Sequence, residues 1–475
     1  MDVAGVTVEE RADGAGDRHL VAFVVPRERV LRTIREMARE RRLDEWRAIY
    51  GSVYEAQAGD PEFGENFAEW KSGYDRLPID RAQMEEWRAR TVDTVLALRP
   101  RRVLEIGAGS GLILSRVAPR CESYWATDLS GDAVRLVSRA VARDPRLAEV
   151  VEVRHQPAHD FGGLPAGRFD TVVLNSVVQY FPDAGYLLDV LDGALKALAP
   201  GGVVVLGDIR NRRLRRGLYA AAELLDAGGN PRAESVRERI GRRELEEREL
   251  LFDPEFFAAL PAALGEIAAV DVRLKRGEHH NELTRHRYDV LLYRRPAEAK
   301  SPDGVERPRW GTEIADAASL EEYLSARRPA AMRLANIPNK RLAGEMAALR
   351  ALDRGEPVES AVEKLAGTAV NSALDPETCH AIGARLGYEV RATWSAESPD
   401  GDFDVVFATG LAGDAPFVLS PPPPAPGTSP AREAAPLGGE GTAAFEKSLR
   451  AHLARVFENI PLPAITFVTT EEPPS

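Results

Sequence analysis

The stretch Val103-Leu104-Glu105-Ile106-Gly107-Ala108-Gly109-Ser110-Gly111-Leu112-Ile113-Leu114 constrains the fold of this chain more than any other. A short apolar run predicts a buried strand. Three glycines then let the backbone turn tightly and approach a ligand, and Leu112, Ile113, Val117 and Ala118 return at helical spacing. The spacing is GxGxG, not the GxGxxG of dinucleotide sites. Glu105, just before the glycines, is the stronger clue. A carboxylate there repels a pyrophosphate and attracts an ammonium or sulfonium, which points to S-adenosylmethionine (SAM) rather than NAD.

From about 103 to 210, strand and helix patterns alternate, which predicts an α/β fold with a mostly parallel sheet and helices on both faces. Ser123 to Asp128 is the expected second strand. Asp128 lies about twenty residues past the glycine turn, where an acid accepts both ribose hydroxyls, although it also stands where a helix N-cap would. A third strand, Val150 to His155, leads to Asp160, a candidate acceptor for an adenine amino group. The fourth ends in Asn175-Ser176-Val177, with Tyr180 and Phe181 placed to wall a site. The fifth, Val203 to Leu206, ends at Asp208. Glu105, Asp128, Asp160, Asn175 and Asp208 thus stand at five strand ends, at the edge where α/β proteins bind ligands.

Other stretches are read from their pattern. Residues 29 to 58 read as helical. Phe63 to Tyr74 is an aromatic segment, either a cap on the domain edge or a lid that brings Tyr74 to the sulfonium. Residues 211 to 260 read as a long helical insertion whose Arg210–Arg216 run and Glu244, Glu246, Glu247 and Glu249 are expected to be solvated faces. Ala269 to Leu274 and Tyr288 to Tyr293 are expected to close the sheet as antiparallel strands, joined by a polar loop from Lys275 to Leu283. Adjacent His279 and His280 there are not a metal motif.

A net charge of -12 argues against nucleic acid as the main partner. Two distant cysteines, Cys121 and Cys379, make no disulfide framework, which fits a reducing cytoplasm. No apolar run is long enough for a membrane span and the N-terminus lacks a signal-peptide pattern, so membrane association and secretion are not expected.

Six pieces now carry a family resemblance: Asp60 to Phe63 through Trp70, Tyr74 and Ile79; Val103 to Gly111; Asn175 to Pro182; Gly207 to Arg210; Leu250 to Phe257; and Asn281-Glu282-Leu283 with Arg287-Tyr288. In this order they resemble the SAM-dependent (N-)methyltransferase domain embedded in nonribosomal peptide synthetases. Glu10 to Pro26 is similar to the first hairpin of the C-terminal subdomain of adenylation domains. The resemblance implies a Rossmann-like class I methyltransferase with a seven-stranded sheet. It divides the chain into an N-terminal hairpin (1–28), the methyltransferase (29–298), an α/β connector (299–418), a Pro/Gly-rich linker (419–443) and the rest of the split adenylation-like subdomain (444–475).

The expected cofactor-binding set is Tyr74, Glu105, Gly107, Ala108, Gly109, Gly111, Asp128, Leu129, Asp160, Asn175, Ser176 and Val177. Candidates for taking or orienting the substrate proton are Asp208, Glu282 and His279, with Tyr180 beside them. The implied substrate is an amino acid, free or tethered to a peptidyl carrier protein, with a synthetase as possible partner. The alternatives are methylation at a side-chain oxygen, carbon or nitrogen, or a degenerate docking module. The large adenylation core and its lysine have no counterpart, so amino-acid activation is not expected.

Overall fold

The structure is a computed structural model. It describes residues 3–12, 18–27, 29, 33, 36–37, 39–47, 63–68, 70–226, 231–297, 305–367, 372–409, 417–423 and 464–467. The chain divides into two units, one of residues 1–49, 181–185 and 431–475, the other of residues 50–180 and 186–430. The first opens with an antiparallel hairpin of β1 (Val3–Ala12) and β2 (Arg18–Pro26), with Val6 opposite Val24. The expected helix from 29 to 58 is helical at the described positions up to residue 47.

The second unit is built on a seven-stranded sheet. Its strands are β3 (Arg102–Ile106), β4 (Ser123–Asp128), β5 (Val151–His155), β6 (Phe169–Asn175), β7 (Leu198–Arg210), β8 (Ile267–Leu274) and β9 (Arg287–Arg294). Their order is β5-β4-β3-β6-β7-β9-β8, parallel through β7, with β9 and β8 antiparallel. Val103, Leu104, Val172, Val173, Leu174, Val204 and Leu206 are wholly buried. Such unbroken apolar runs are what a parallel strand needs when helices cover both faces.

Several local expectations are corrected. β7 begins at Leu198, so Pro200-Gly201-Gly202 lies inside the strand, and Asp208 belongs to it rather than following it. Within the insertion after β7 the described helices are the short turn Arg212–Leu214, then Arg215–Leu225, Ala233–Glu246 and Pro254–Ala258. Glu246 is exposed as expected, but most of the other charges are paired. Arg210 pairs with Glu247 and Glu249, Arg215 and Arg216 with Glu244, and Arg212 with Asp253. These pairs join separate elements, a tertiary arrangement that i to i+4 spacing does not reveal. Lys275, expected in a polar loop, has only 2% of its side chain exposed.

Beyond β9 the connector adds an antiparallel sheet of β10 (Ala331–Ile337), β11 (Glu389–Trp394) and β12 (Phe403–Ala408), ordered β10-β12-β11. Helices Ala317–Arg327, Ala343–Asp353, Val358–Ala366 and Pro376–Leu386 accompany it. β10 and the helix Val358–Ala366 were not anticipated. Leu419, placed in the linker by sequence, is buried, and its backbone bonds to Val272 and Asp271 of β8. The linker beyond 423 and the opening part of the expected 444–475 segment, which reads from its pattern as an amphipathic helix over Phe445 to Phe457, lie outside the described residues. Finally β13 (Ala464–Phe467) runs parallel beside β2, so the first unit has a three-stranded sheet ordered β1-β2-β13. A lone hairpin is marginal in water, and the third strand comes from the far end of the chain.

Candidate active site at the carboxyl edge of the sheet

The glycine turn leaves β3 with positive φ at Gly107 (78°), Gly109 (53°) and Gly111 (82°), a conformation that glycine adopts without strain. It is tied to the end of β4. Gly107 and Ala108 donate to the Thr127 carbonyl at 2.8 and 3.1 Å, and Gly109 donates to Asp128 Oδ2 at 2.9 Å. Asp128 Oδ1 accepts from Ser130 N at 2.8 Å. The cap of the following helix is Ser130, whose Oγ accepts from Ala133 N, so Asp128 is not that helix's cap. Asp128 and Leu129 stay half-buried at this edge, and burial raises the Asp128 pKa. A Cβ on Gly107 would lie 2.4 Å from Val177 Cγ2, so the turn packs directly on the exit of β6.

Glu105 is turned inward. It is 3% exposed and accepts from Tyr124 Oη at 2.8 Å. Burial, aided by the Asp128 charge, raises its pKa to about 8 against the Tyr124 hydrogen bond. A carboxyl in that state offers a hydrogen-bonding oxygen more than a negative charge. At the exit of β6, Asn175, Ser176, Val177 and Tyr180 are half-buried. Asn175 Oδ1 is buried with no hydrogen-bond partner. A buried acceptor without a donor is rare and fits a ligand that brings one. Asp160, by contrast, is exposed and accepts from Gly162 N at 2.7 Å, holding its own loop.

Beside this edge lies a second polar layer. Asp208 is fully buried with φ 69°. It accepts from Trp87 Nε1 (3.1 Å), Ser176 Oγ (2.7 Å) and Arg287 Nη1 (2.8 Å), and Lys275 Nζ stands 3.6 Å away. Ser176 also has positive φ, 56°. Two non-glycine residues strained and hydrogen-bonded to each other at adjacent strand ends are the kind of local cost that functional sites carry. Burial pushes the Asp208 pKa up, but Arg287 and Lys275 more than reverse this and hold it below the usual range. Asp208 is therefore a permanent anion with its oxygens engaged. Glu282 accepts from Gly73 N and from Arg287 Nη2 (3.4 Å), so it joins the aromatic segment to the Asp208 cluster. Trp70 packs on Trp87 with ring centres 4.5 Å apart, and Arg287 lies over Trp70. His279 does not join this layer. Its side chain is 46% exposed and bonds to Glu86 at 2.7 Å.

Tyr74 points its hydroxyl into a third cluster. It donates to Glu345 Oε1 at 2.7 Å and lies 3.2 Å from His286 Nε2. His286 Nε2 meets Glu345 Oε2 at 2.8 Å, and Arg285 Nη1 donates to Glu345 Oε1 at 2.7 Å. Burial raises the Glu345 pKa, but His286 and Arg285 outweigh it and the carboxylate stays low. The sequence singled out neither Trp87, Lys275, His286 nor Glu345. Arg287 was visible only as part of a matching motif, and nothing in the connector helix Ala343–Asp353 marks Glu345 as reaching this cluster.

A family model described as a methyltransferase domain matches residues 104–204. Over 413 residues the chain is 37% identical to the chondramide synthase cmdD of Chondromyces crocatus, which covers 85% of this chain and 10% of that protein. Over 415 residues it is 40% identical to CymA of Salinispora arenicola, named as a probable nonribosomal peptide synthetase, covering 87% of this chain and 5% of that one. The chain thus spans a small fraction of the length of the curated relatives it matches. Among solved structures, the N-methyltransferase NodS from Bradyrhizobium japonicum with S-adenosyl-L-homocysteine aligns at 18% identity and a TM-score of 0.28, over 44% of this chain and 88% of that chain.

Proposed function

We propose that the chain, whose sequence is shared with nonribosomal peptide synthetases, is a SAM-dependent methyltransferase that N-methylates an amino acid held as a thioester on a peptidyl carrier protein. The observation that carries this reading is the meeting of Gly107–Gly111, Asp128 and the orphaned Asn175 acceptor at one sheet edge, beside the buried carboxylates of Asp208 and Glu282. SAM, when bound, supplies a methyl group already activated on a sulfonium. What remains for the protein is to align the amine, exclude water and manage one proton. The glycine turn and Asp128 hold the nucleoside, Asp128 taking the ribose hydroxyls, while Asn175, Ser176, Val177 and Tyr180 wall the site. The segment from Phe63 to Tyr74 acts as the lid, fastened through Gly73 to Glu282. Glu282 orients the amine. Asp208, already engaged by four groups, is a positioning anion that fixes Arg287 and Trp87.

Residues 1–28 and 444–475 form, on this reading, one adenylation-like subdomain that the methyltransferase and connector interrupt. The pairing of β13 with β2 supports it. The relatives' names support a synthetase as partner. Among the described residues no helix is long and apolar enough to cross a membrane, and the free thiols of Cys121 and Cys379 suit a cytoplasmic location. The test is incubation with labelled SAM and either aminoacyl-carrier proteins or free amino acids, with mass spectrometry of the products. A methyl on the α-nitrogen of the loaded carrier is the expected result. Transfer only to free amino acids, or only to oxygen or carbon, overturns the substrate assignment.

A further inference from the structure

We propose that His286, oriented by Glu345 of the connector, is the group that takes the substrate amine's proton. The inference rests on the methyltransferase reading above and deepens it. Each expected candidate has its oxygens or ring engaged elsewhere. Asp208 is locked by Arg287, Ser176 and Trp87, Glu282 is engaged by Gly73 and Arg287, and His279 sits on the surface against Glu86. His286 differs. It is 5% exposed, and its Nε2 faces Glu345 Oε2 at 2.8 Å and Tyr74 Oη at 3.2 Å. Its Nδ1 is buried with no partner.

An ionised carboxylate beside Nε2 demands a proton there, so the neutral ring keeps its lone pair on Nδ1. That is the arrangement by which a carboxylate prepares an imidazole as a base. Arg285 and Tyr74 both donate to Glu345 Oε1, which leaves Oε2 for the ring. Along the chain, the cluster adjoins the Asp208 and Glu282 layer at two points. Arg287, the next residue, holds Asp208 and Glu282, and Tyr74 follows Gly73, which donates to Glu282. In the step, the amine nitrogen's lone pair forms the new N–C bond as the S–C bond breaks and its electrons return to sulfur. The ammonium proton passes to Nδ1, and the imidazolium so formed is held against the Glu345 carboxylate. Glu345 is a positioning residue, and through it the connector becomes part of the methyl-transfer centre.

The test uses the full chain, with aminoacyl N-acetylcysteamine thioesters and labelled SAM as probes. His286→Asn is expected to lower kcat by about 100-fold or more, in the range of general-base losses, with SAM affinity by calorimetry unchanged. Glu345→Gln is expected to lower kcat less and Glu345→Asp to restore part of it. Nitrogen NMR of the labelled imidazole in the wild-type chain is expected to show the proton on Nε2, and this tautomer preference is expected to weaken in Glu345→Gln. Unchanged kcat in His286→Asn, or a wild-type ring carrying its proton on Nδ1, overturns the proposal, the latter even if the variants do not fold. A wild-type chain that binds SAM yet methylates none of the thioesters defeats the substrate reading instead, while the tautomer measurement still judges His286.

Discussion

At the scale of the residue, the site depends on a few atoms whose surroundings are unusual. Asp128 clasps the glycine turn at Gly109 and is proposed to take the ribose. Asp128→Ala is expected to weaken SAM binding by about 10- to 100-fold, the worth of one or two charge-assisted hydrogen bonds, as read by calorimetry. Gly107 has no room for a side chain. Gly107→Ala puts a methyl against Val177 at a φ of 78°, and thermal melting is expected to show a loss of about 1–3 kcal/mol. Glu105 carries a pH signature. Its pKa rises from 4.5 to about 8 in the folded chain, chiefly through burial. The folded state therefore binds a proton that the unfolded state has released, and this contribution is present below the unfolded value and lost as pH rises toward the folded one. Glu105→Gln stays uncharged throughout. Melting curves are expected to show the variant gaining on wild type as pH climbs from about 5 to about 8; parallel curves would show that Glu105 is ionised in the native chain.

At the scale of the element, the segment made of the loop after β8 and the helix Glu282–His286 matters most, because it supplies Lys275, Glu282 and His286. It is held from the connector side. The Arg341 side chain is wholly buried and donates to the carbonyls of Lys275 and Gly277 at 2.8 Å each, with Asp375 as its counter-ion. Arg276 pairs with Glu377, and His280 with Asp375. Neutralising a buried, hydrogen-bonded cation leaves its partners without compensation. Arg341→Ala is expected to cost about 3–5 kcal/mol by chemical denaturation. Methyl transfer is expected to fall further than SAM affinity does, since the glycine turn lies on the other strands. Equal losses in both would assign Arg341 to the whole fold rather than to this loop.

At the scale of the molecule, the second unit contains every proposed site residue and the first contains the sheet built from both chain ends. A chain of residues 63–423 is expected to bind SAM within about threefold of the full chain, since no cofactor contact is assigned outside it. A much larger loss would mean that the first unit takes part in binding. The amino-acid sequence by itself determined the alternation of strand and helix, the glycine turn, and the placing of Asp128 and Asn175 at the ends of their strands. These follow from local rules: apolar runs make covered strands, and only glycine turns there without strain. The sequence also placed Ser123–Asp128 at its observed bounds, because turn residues flank it on both sides. It misread the Arg210–Arg216 run and the glutamates near 247 as solvated. A charge's partner is a matter of distance in space, and Arg210 finds Glu247 and Glu249 some forty residues away. Only the tertiary structure decided that Asp208 is a locked anion, that Lys275 is buried, and that Glu345 reaches Tyr74 and His286 from a distant connector helix. The physical reason is the same in each case. Burial and long-range pairing set the protonation and freedom of a side chain, and neither is written in its neighbours along the chain.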